Sequence, residues 1–136
     1  MPHPNETVIR QLTVACSPEC QNPQVLPQFL TEQTVYHIPG INALSGEYKG
    51  CDEISRMTQK RARLLHSRPY DVKLVGTTVS NEHVAILHQF EADNPGGRLR
   101  WRGNSIYFMR DGKITECWLF VDDEDAFNEF WGRAES

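Results

Sequence analysis

Four long β-type segments in the second half of the chain constrain its fold most. They run over about residues 70–80, 83–93, 98–110 and 113–121. The turn sequences SNE, NPGG and RDGK separate them, and RDGK is a strong β-hairpin signal. Segments joined by such short turns pair with their neighbours in the chain, so this half predicts an antiparallel meander.

The segments before and after the meander have helical patterns. Residues 5–15 predict a short helix with Asn5 as its cap, and Pro23 is placed to begin a second helical region. The clearest helix is 51–66, and along one of its sides lie Ile54, Met57, Arg61, Leu64 and Leu65. A short docking helix after the acidic run VDDED is predicted from the helical spacing of Ala126, Phe127, Phe130 and Trp131. Helices placed before an antiparallel sheet predict an α+β fold.

Composition and charge exclude several classes of function. The 136 residues have the length of one domain, spanning 1–136, and a net charge of −4 gives no reason to expect a nucleic-acid partner. The basic run RLRWR suits either phosphate binding or a solvated strand face. No apolar stretch approaches the roughly 20 residues of a membrane span, and residues 1–11 are not a signal peptide. We therefore expect a cytoplasmic protein without a membrane partner.

The cysteines give no cofactor signal. Cys16, Cys20, Cys51 and Cys117 lack the paired spacing of metal ligands, and free thiols are their expected state. No glycine-rich phosphate loop follows a predicted strand. We therefore expect neither a metal nor a nucleotide cofactor.

The NPGG turn assigns residues to the two faces of the sheet. If NPGG is the loop, Asp93 lies opposite Arg98 and residues two apart share a face. One face is then apolar, aromatic and sparingly polar, and it comprises Val84, Ile86, His88, Phe90, Leu99, Trp101, Gly103, Ser105 and Tyr107. Apolar walls with a few polar groups suit a ligand cavity, and they suit a plain core as well.

The short strand Thr34–Ile38 carries a histidine just before the stop at Pro39-Gly40. Alternation along the strand puts His37 on the same side as Val35, an apolar residue that favours burial. We therefore expect His37 to point into the interior. Because histidine suits proton transfer at neutral pH, His37 is a candidate general acid or base; the alternative is a polar residue at a strand end.

Two longer motifs resemble one protein family. The stretches YHIPGINALSGEYKGCDEI (36–54) and FMRDGKITECWLFVDDEDAFNEFWG (108–132) are similar to the SnoaL-like branch of the superfamily of nuclear transport factor 2 and ketosteroid isomerase. The resemblance runs from about Thr34 to Gly132. It implies a cone, in which a curved antiparallel sheet wraps around N-terminal helices and encloses a single apolar pocket.

The resemblance also implies which residues line that pocket. Positions that hold catalytic carboxylates in related isomerases, cyclases and epoxide hydrolases match Ile38 or His37, Ser105, and Leu119 here. Two histidines, His37 and His88, remain as catalytic candidates, and scytalone dehydratases look similar in using two histidines. The candidate substrate-binding residues are Tyr36, Tyr48, Phe90, Trp101, Ser105, Tyr107, Cys117 and Leu119.

Three functions and one assembly fit the resemblance. We expect the chain to be a cofactor-free isomerase, dehydratase or cyclase acting on a small apolar carbonyl or polyketide-like compound. The alternatives are a non-catalytic binder of a small apolar molecule and a protein-interaction domain. Members of the family commonly form homodimers through the outer sheet face. If RDGK closes with a glycine bulge, Thr115, Cys117, Leu119 and Val121 point inward, and the outer face carries Ile106, Phe108, Ile114, Trp118 and Phe120. If RDGK is instead a two-residue turn, the two sets on the last strand exchange faces.

Overall fold

The computed structural model describes residues 3–15, 23–66, 70–94 and 97–135, and within them the chain forms three α-helices and six strands. The helices are α1 (Pro4–Ala15), α2 (Gly50–His66) and α3 (Glu124–Glu135), and a short 3-10 helix covers Pro23–Gln28. The strands are β1 (Leu30–Ile38), β2 (Gly46–Lys49), β3 (Tyr70–Val79), β4 (His83–Asn94), β5 (Gly97–Arg110) and β6 (Lys113–Val121). The predicted α+β class is confirmed, with three helical segments before the meander.

The six strands form one sheet in the order β2-β1-β6-β5-β4-β3. Every neighbouring pair is antiparallel except β1 and β6, which run parallel. The prediction of an antiparallel sheet is therefore wrong for this pair. The reason is topological: β1 precedes α2 and the whole meander, and the last meander strand returns beside it in the same direction.

The register between β4 and β5 agrees with the expectation from the NPGG turn. Asp93 lies opposite Arg98, and His88 lies opposite Gly103. Residues 95 and 96 at the tip of this turn lie outside the described residues, as do Cys16, Cys20 and Asn22. The pairing of β4 with β5 continues up to Asn94 and Gly97, next to the turn. The number of residues between a position and the turn therefore decides which face its side chain is on.

The RDGK hairpin departs from the expected geometry. Asp111 and Gly112 both have positive φ, 52° and 78°, which is the two-residue turn typical of tight hairpins. An irregularity next to Phe108 then shifts the register by one residue. As a result Ile114 is fully buried and Thr115 is exposed, the reverse of the prediction for these two residues.

Beyond that bulge the faces of β6 agree with the prediction. Cys117 is buried, and Leu119 and Val121 pack against the core as partly buried residues. Trp118 and Phe120 are exposed on the outer face. The bulge restores the alternation that the two-residue turn had inverted.

The helices lie against one face of the curved sheet and form the core with it. One side of α2 is buried through Ile54, Met57 and Leu64. The predicted docking helix is confirmed as α3, whose Phe127, Phe130 and Trp131 are buried. Asp123 caps α3 by accepting a hydrogen bond of 3.0 Å from the Ala126 backbone N–H, which explains the acidic run there. None of the helices among the described residues is long and apolar enough to cross a membrane.

The basic run on β5 belongs to a network of surface ion pairs. Arg98 pairs with Glu91 at 3.0 Å and with Asp71 at 3.2 Å, and Arg100 pairs with Glu91 at 2.8 Å. The two arginines hold the pKa of Glu91 below its usual value, chiefly through the hydrogen bond from Arg98. The solvated-face interpretation of RLRWR therefore describes Arg98 and Arg100 well.

Candidate functional site

The inner, helix-facing surface of the sheet carries most of the predicted site residues. One row of cross-strand neighbours runs over four strands and consists of Tyr36, Cys117, Tyr107 and Val84. The rings of Tyr36 and Tyr107 meet edge to face with 6.4 Å between their centroids. Tyr36 and Cys117 are buried, whereas Tyr107 is half-buried. The row is a continuous inner wall rather than an isolated polar site.

Cys117 is a protonated thiol within this wall. Burial raises its pKa to about 12, and the charge of Arg61 and a hydrogen bond with Tyr107 only partly oppose this effect. A thiol with so high a pKa is a poor nucleophile at neutral pH. Cys117 therefore acts here as a small apolar residue of the wall.

The next row of the inner face consists of Leu119, Ser105, Ile86 and Thr77. Ser105 and Leu119 are half-buried and face the helices, as predicted for two positions that replace carboxylates. A hydroxyl among aliphatic neighbours can orient a ligand oxygen but cannot act as a strong base. Ser105 is thus a half-buried hydroxyl of the inner face.

His88 lies in the third row, between Gly103 and Leu74. Its imidazole covers Gly103 so closely that a Cβ at this glycine would overlap Nε2. Burial lowers the pKa of His88 from its ordinary 6.5, and a hydrogen bond with the Ile86 backbone opposes the shift only in part. His88 is therefore the inner-face histidine, and it is neutral at pH 7.

Phe90 and Trp101 are packed into the core. Their rings stack with 4.3 Å between centroids, and Phe130 of α3 closes on both of them, at 5.4 Å and 5.5 Å. Since both aromatic residues are already covered by α3, they support the sheet rather than line an open space.

Tyr48 is tied to the loop before β2. Its hydroxyl donates a hydrogen bond of 2.8 Å to the Leu44 carbonyl. Burial raises the pKa of this phenol above its ordinary value of 10.0. Across the β1–β2 pair Tyr48 neighbours Tyr36, so it forms the rim of the inner wall and fixes the loop.

The prediction that His37 points into the interior is wrong. Its imidazole stacks on Trp118 of the outer face, with 3.6 Å between centroids. Nε2 contacts Glu116 at 2.7 Å, and Nδ1 contacts Glu47 at 3.2 Å. The physical reason is the pairing of β1 with β6, which places Tyr36 against buried Cys117 and so turns Val35 and His37 outward.

A cavity of about 250 Å³ lies between α1 and the strands β3 and β4. The residues that line it are Glu6, Ile9, Arg10, Leu74, Thr77, Val84 and Ile86. Four of these seven side chains are aliphatic, and they come from the inner rows of the sheet and from α1. The cavity therefore has mainly aliphatic walls, with three polar residues among them.

Glu6 and Arg10 are cavity residues that the sequence did not predict. Asn5 does not cap α1 as predicted; its side-chain amide instead donates to the carbonyls of Ser80 and Asn81, at 3.0 and 3.1 Å. These bonds hold the start of α1 over the β3–β4 turn. The spacing of Glu6 and Arg10, four residues apart on one helix side, is the only local signal that could have drawn attention to them.

The described residues offer no preformed metal centre. Within 3–15, 23–66, 70–94 and 97–135 no group of three or more His, Cys, Asp or Glu side chains could hold an ion. Two carboxylates, Glu47 and Glu116, lie near His37. There the two carboxylates contact opposite nitrogens of the ring and so do not converge on one point.

Comparisons with solved structures show the same fold in several proteins. Bal32a from a soil-derived mobile gene cassette superposes with a TM-score of 0.78 at 20% identity, covering 94% of this chain and 96% of that chain. TerC, co-crystallised with polyporic acid, gives 0.74 at 17% identity over 98% and 100%. A putative SnoaL-like polyketide cyclase from a Jannaschia species gives 0.65 at 14% identity over 88% and 85%.

The comparisons by sequence identify a family but no individual curated relative. No curated protein matches the chain significantly. Residues 19–117, from before β1 into β6, match the SnoaL-like domain. This match covers most of the chain and includes the inner rows formed by β1, β4 and β5. Together with the fold it shows that the chain belongs to the SnoaL-like domain family.

Proposed function

We propose that this protein binds a small, largely apolar carbonyl or polyketide-like compound in the cavity between α1 and strands β3 and β4. The observation that carries the proposal is the cavity itself, with about 250 Å³ of space and mainly aliphatic walls. Burial of an apolar ligand against Ile9, Val84 and Ile86 supplies the main driving force, at roughly 25 cal/mol per Å² of apolar surface removed from water.

The comparisons support this proposal in two ways. Proteins with the same fold include ones named as putative polyketide cyclases, and TerC has been crystallised with polyporic acid. Polyporic acid is therefore the first compound to test. We expect saturable binding at one site when the protein is titrated with polyporic acid. Tryptophan fluorescence or calorimetry measures the binding.

A pair of variants locates the binding site. Leu74 lines the cavity and is 63% exposed, so Leu74→Trp is expected to fold and to narrow the cavity. It should weaken binding about tenfold or more, the effect of about 1.4 kcal/mol. The matched control is Leu87→Trp on the outer side of β4, where Leu87 is 40% exposed. Equal affinities in the two variants would show that the ligand binds elsewhere.

Acid/base catalysis at the inner face is a second candidate function. The observation that favours it is the position of His88 on this face, opposite Gly103. The lowered pKa leaves its imidazole neutral and able to accept a proton at pH 7. Two residues away on the same face, Ile86 lines the cavity. In this proposal His88 removes a proton next to a ligand carbonyl, and Ser105 orients the carbonyl oxygen, as an isomerase, dehydratase or cyclase requires.

Hydrogen exchange at carbon tests this second candidate without knowledge of the product. Polyketide-like carbonyl compounds in D₂O would exchange protons adjacent to the carbonyl, and NMR measures the rate. His88→Gln should abolish enzyme-dependent exchange, whereas His83→Gln at the β3–β4 turn should not. Binding without exchange in the wild-type protein would leave the non-catalytic binder as the function.

A further inference from the structure

The cavity wall contains a carboxylate that the family resemblance does not predict. Of the cavity-lining residues in the described part of the chain, Glu6 is the one with an acidic side chain. That side chain is only 19% exposed. A partly covered carboxylate beside Ile9 and Val84 is an unusual wall component, because carboxylates lose hydration when they are buried among apolar groups.

The partner of Glu6 lies toward solvent. Glu6 Oε1 accepts a hydrogen bond from Arg10 Nη2 at 3.0 Å, and the Arg10 side chain is 71% exposed. An exposed arginine can change its side-chain conformation without rearranging the core. The carboxylate therefore keeps hydrogen-bonding capacity for a molecule in the cavity, since each carboxylate accepts several bonds.

The position of Glu6 is fixed by its neighbour in sequence. Asn5 is buried, and its amide bonds to Ser80 and Asn81 anchor the first turn of α1 on the β3–β4 hairpin. The next residue, Glu6, is thereby held above the inner rows of β3 and β4. The backbone of Glu6 is thereby fixed, so its carboxylate is presented to the cavity from one place on the wall.

We propose that Glu6 selects ligands that carry a hydroxyl donor, phenolic or enolic, on an otherwise apolar skeleton. The proposal rests on the cavity binding proposed above and names the substrate class. A hydrogen bond from O–H to a carboxylate is short and strong. The Glu6–Arg10 pair has no net charge, so the site gives little attraction to a cationic amine, whose loss of hydration in an apolar cavity would be costly.

Two probes of similar size test the proposal, 2-naphthol and 2-methylnaphthalene, which differ in the hydroxyl group. Their dissociation constants are measured at pH 7 for the wild-type protein and for variants. The wild-type protein should prefer 2-naphthol by about tenfold or more, the gain expected from one hydrogen bond to a charged group. Glu6→Leu should remove this preference, and Glu6→Gln, which retains an oxygen acceptor, should keep part of it.

Matched variants separate Glu6 from other sources of the preference. Glu124→Leu changes the first-turn glutamate of α3, away from the cavity, and should leave the preference unchanged. Thr77→Val and Arg10→Ala change the remaining polar residues of the wall and should retain it. If the preference disappears in Thr77→Val or Arg10→Ala and persists in Glu6→Leu, the assignment to Glu6 is overturned.

The outcomes also distinguish this inference from the function on which it rests. If the ratio of the two dissociation constants is the same in wild-type protein and in Glu6→Leu, Glu6 does not select for the hydroxyl group, although the cavity still binds both probes. If neither probe nor polyporic acid binds the wild-type protein, the cavity function itself fails. Circular dichroism and thermal melting establish that each variant is folded. If Glu6→Leu does not fold, Glu6→Gln is used instead, and a several-fold smaller preference for 2-naphthol in that variant supports the proposal.

Discussion

His37 and Trp118 lie face to face on the outer side of the sheet, with 3.6 Å between ring centroids and 11° between ring planes. Trp118 in turn stacks on Phe120, at 6.1 Å. His37, one residue before the end of β1, is therefore part of an aromatic surface that faces away from the cavity. This arrangement changes which residues are candidates for chemistry and leads to the first two predictions.

Replacing His37 should affect stability and leave cavity binding unchanged. His37→Ala removes a ring stack and the contacts to Glu116 and Glu47, and we expect a loss of roughly 1 kcal/mol in the free energy of unfolding. Affinity for polyporic acid or 2-naphthol should stay within about twofold of wild type. Urea unfolding and fluorescence titration measure the two effects, and Glu47→Gln is the control for loss of one exposed contact. A His37→Ala protein that is folded and no longer binds would return His37 to the site.

The aromatic outer surface is expected to mediate a homodimer. Phe108, Trp118 and Phe120 are 41%, 36% and 51% exposed, and the rings of Trp118 and Phe120 stack. Exposed aromatic side chains grouped on one sheet face favour an interface with another protein. Light scattering at micromolar concentration should give twice the mass of one chain. Phe120→Glu should shift the protein to monomers, whereas Ile41→Glu, at a loop residue that is 90% exposed, should not. A monomeric wild-type protein would contradict this prediction.

Gly103 and His88 should be energetically coupled. A side chain at Gly103 would overlap the imidazole of His88, so Gly103→Ala should destabilise the protein by roughly 1–3 kcal/mol, as overpacking does. In the background of His88→Ala the same substitution should cost little, because the space is then empty. Denaturant unfolding of the two single variants and the double variant completes the cycle. If Gly103→Ala lowers the free energy of unfolding equally in the wild-type and His88→Ala backgrounds, a side chain at Gly103 does not clash with the His88 imidazole.

The lowered pKa of His88 predicts a specific pH dependence of stability. In the unfolded chain His88 has its ordinary pKa of 6.5, and in the folded chain its pKa is lower. Between these two values the unfolded state binds more protons, so stability is complete above 6.5 and is lost as pH falls through the folded value. Thermal melts between pH 7 and pH 5 should show a smaller pH slope for His88→Asn than for wild type. His83→Asn is the control, and an unchanged slope in His88→Asn would contradict the assignment.

Cys117 should be inert toward thiol reagents in the folded protein. Burial raises its pKa to about 12, whereas Cys51 is only half-buried. A variant that keeps Cys117 and has serine at Cys16, Cys20 and Cys51 should react with Ellman's reagent at pH 8 only on unfolding. The variant that keeps Cys51 alone should react faster in the native state. Rapid native labelling of Cys117 would show that the inner wall opens.

Local sequence predicted much of the fold, and the reason is that local turns fix local pairing. The residues around NPGG set the register in which His88 faces Gly103, and helical spacing identified Phe127 and Phe130 as the buried side of α3. The motif resemblance gave the family, which the match over 19–117 confirms. In each case the information lies within one hairpin, one helix or one continuous motif.

The orientation of β1 could be decided only by tertiary structure. Val35, Tyr36, His37 and Ile38 alternate without a clear apolar side, so either face of this strand could be buried. Its partner β6 is about 80 residues away in the chain, and the pairing of Tyr36 with Cys117 settles the choice.

The bulge in β6 and the cavity also belong to tertiary structure. The shift near Phe108 exchanges the faces of Ile114 and Thr115, which no turn sequence specified. Glu6 lies at the cavity on a helix whose start is bonded, through Asn5, to a hairpin 75 residues further along the chain. The sequence by itself therefore determined the helices, the four meander strands, the β4–β5 register and the family, whereas β2 and the first four residues of β1 were not predicted. The packing of distant segments determined which histidine and which carboxylate face the cavity side, because that choice depends on contacts that no local pattern encodes.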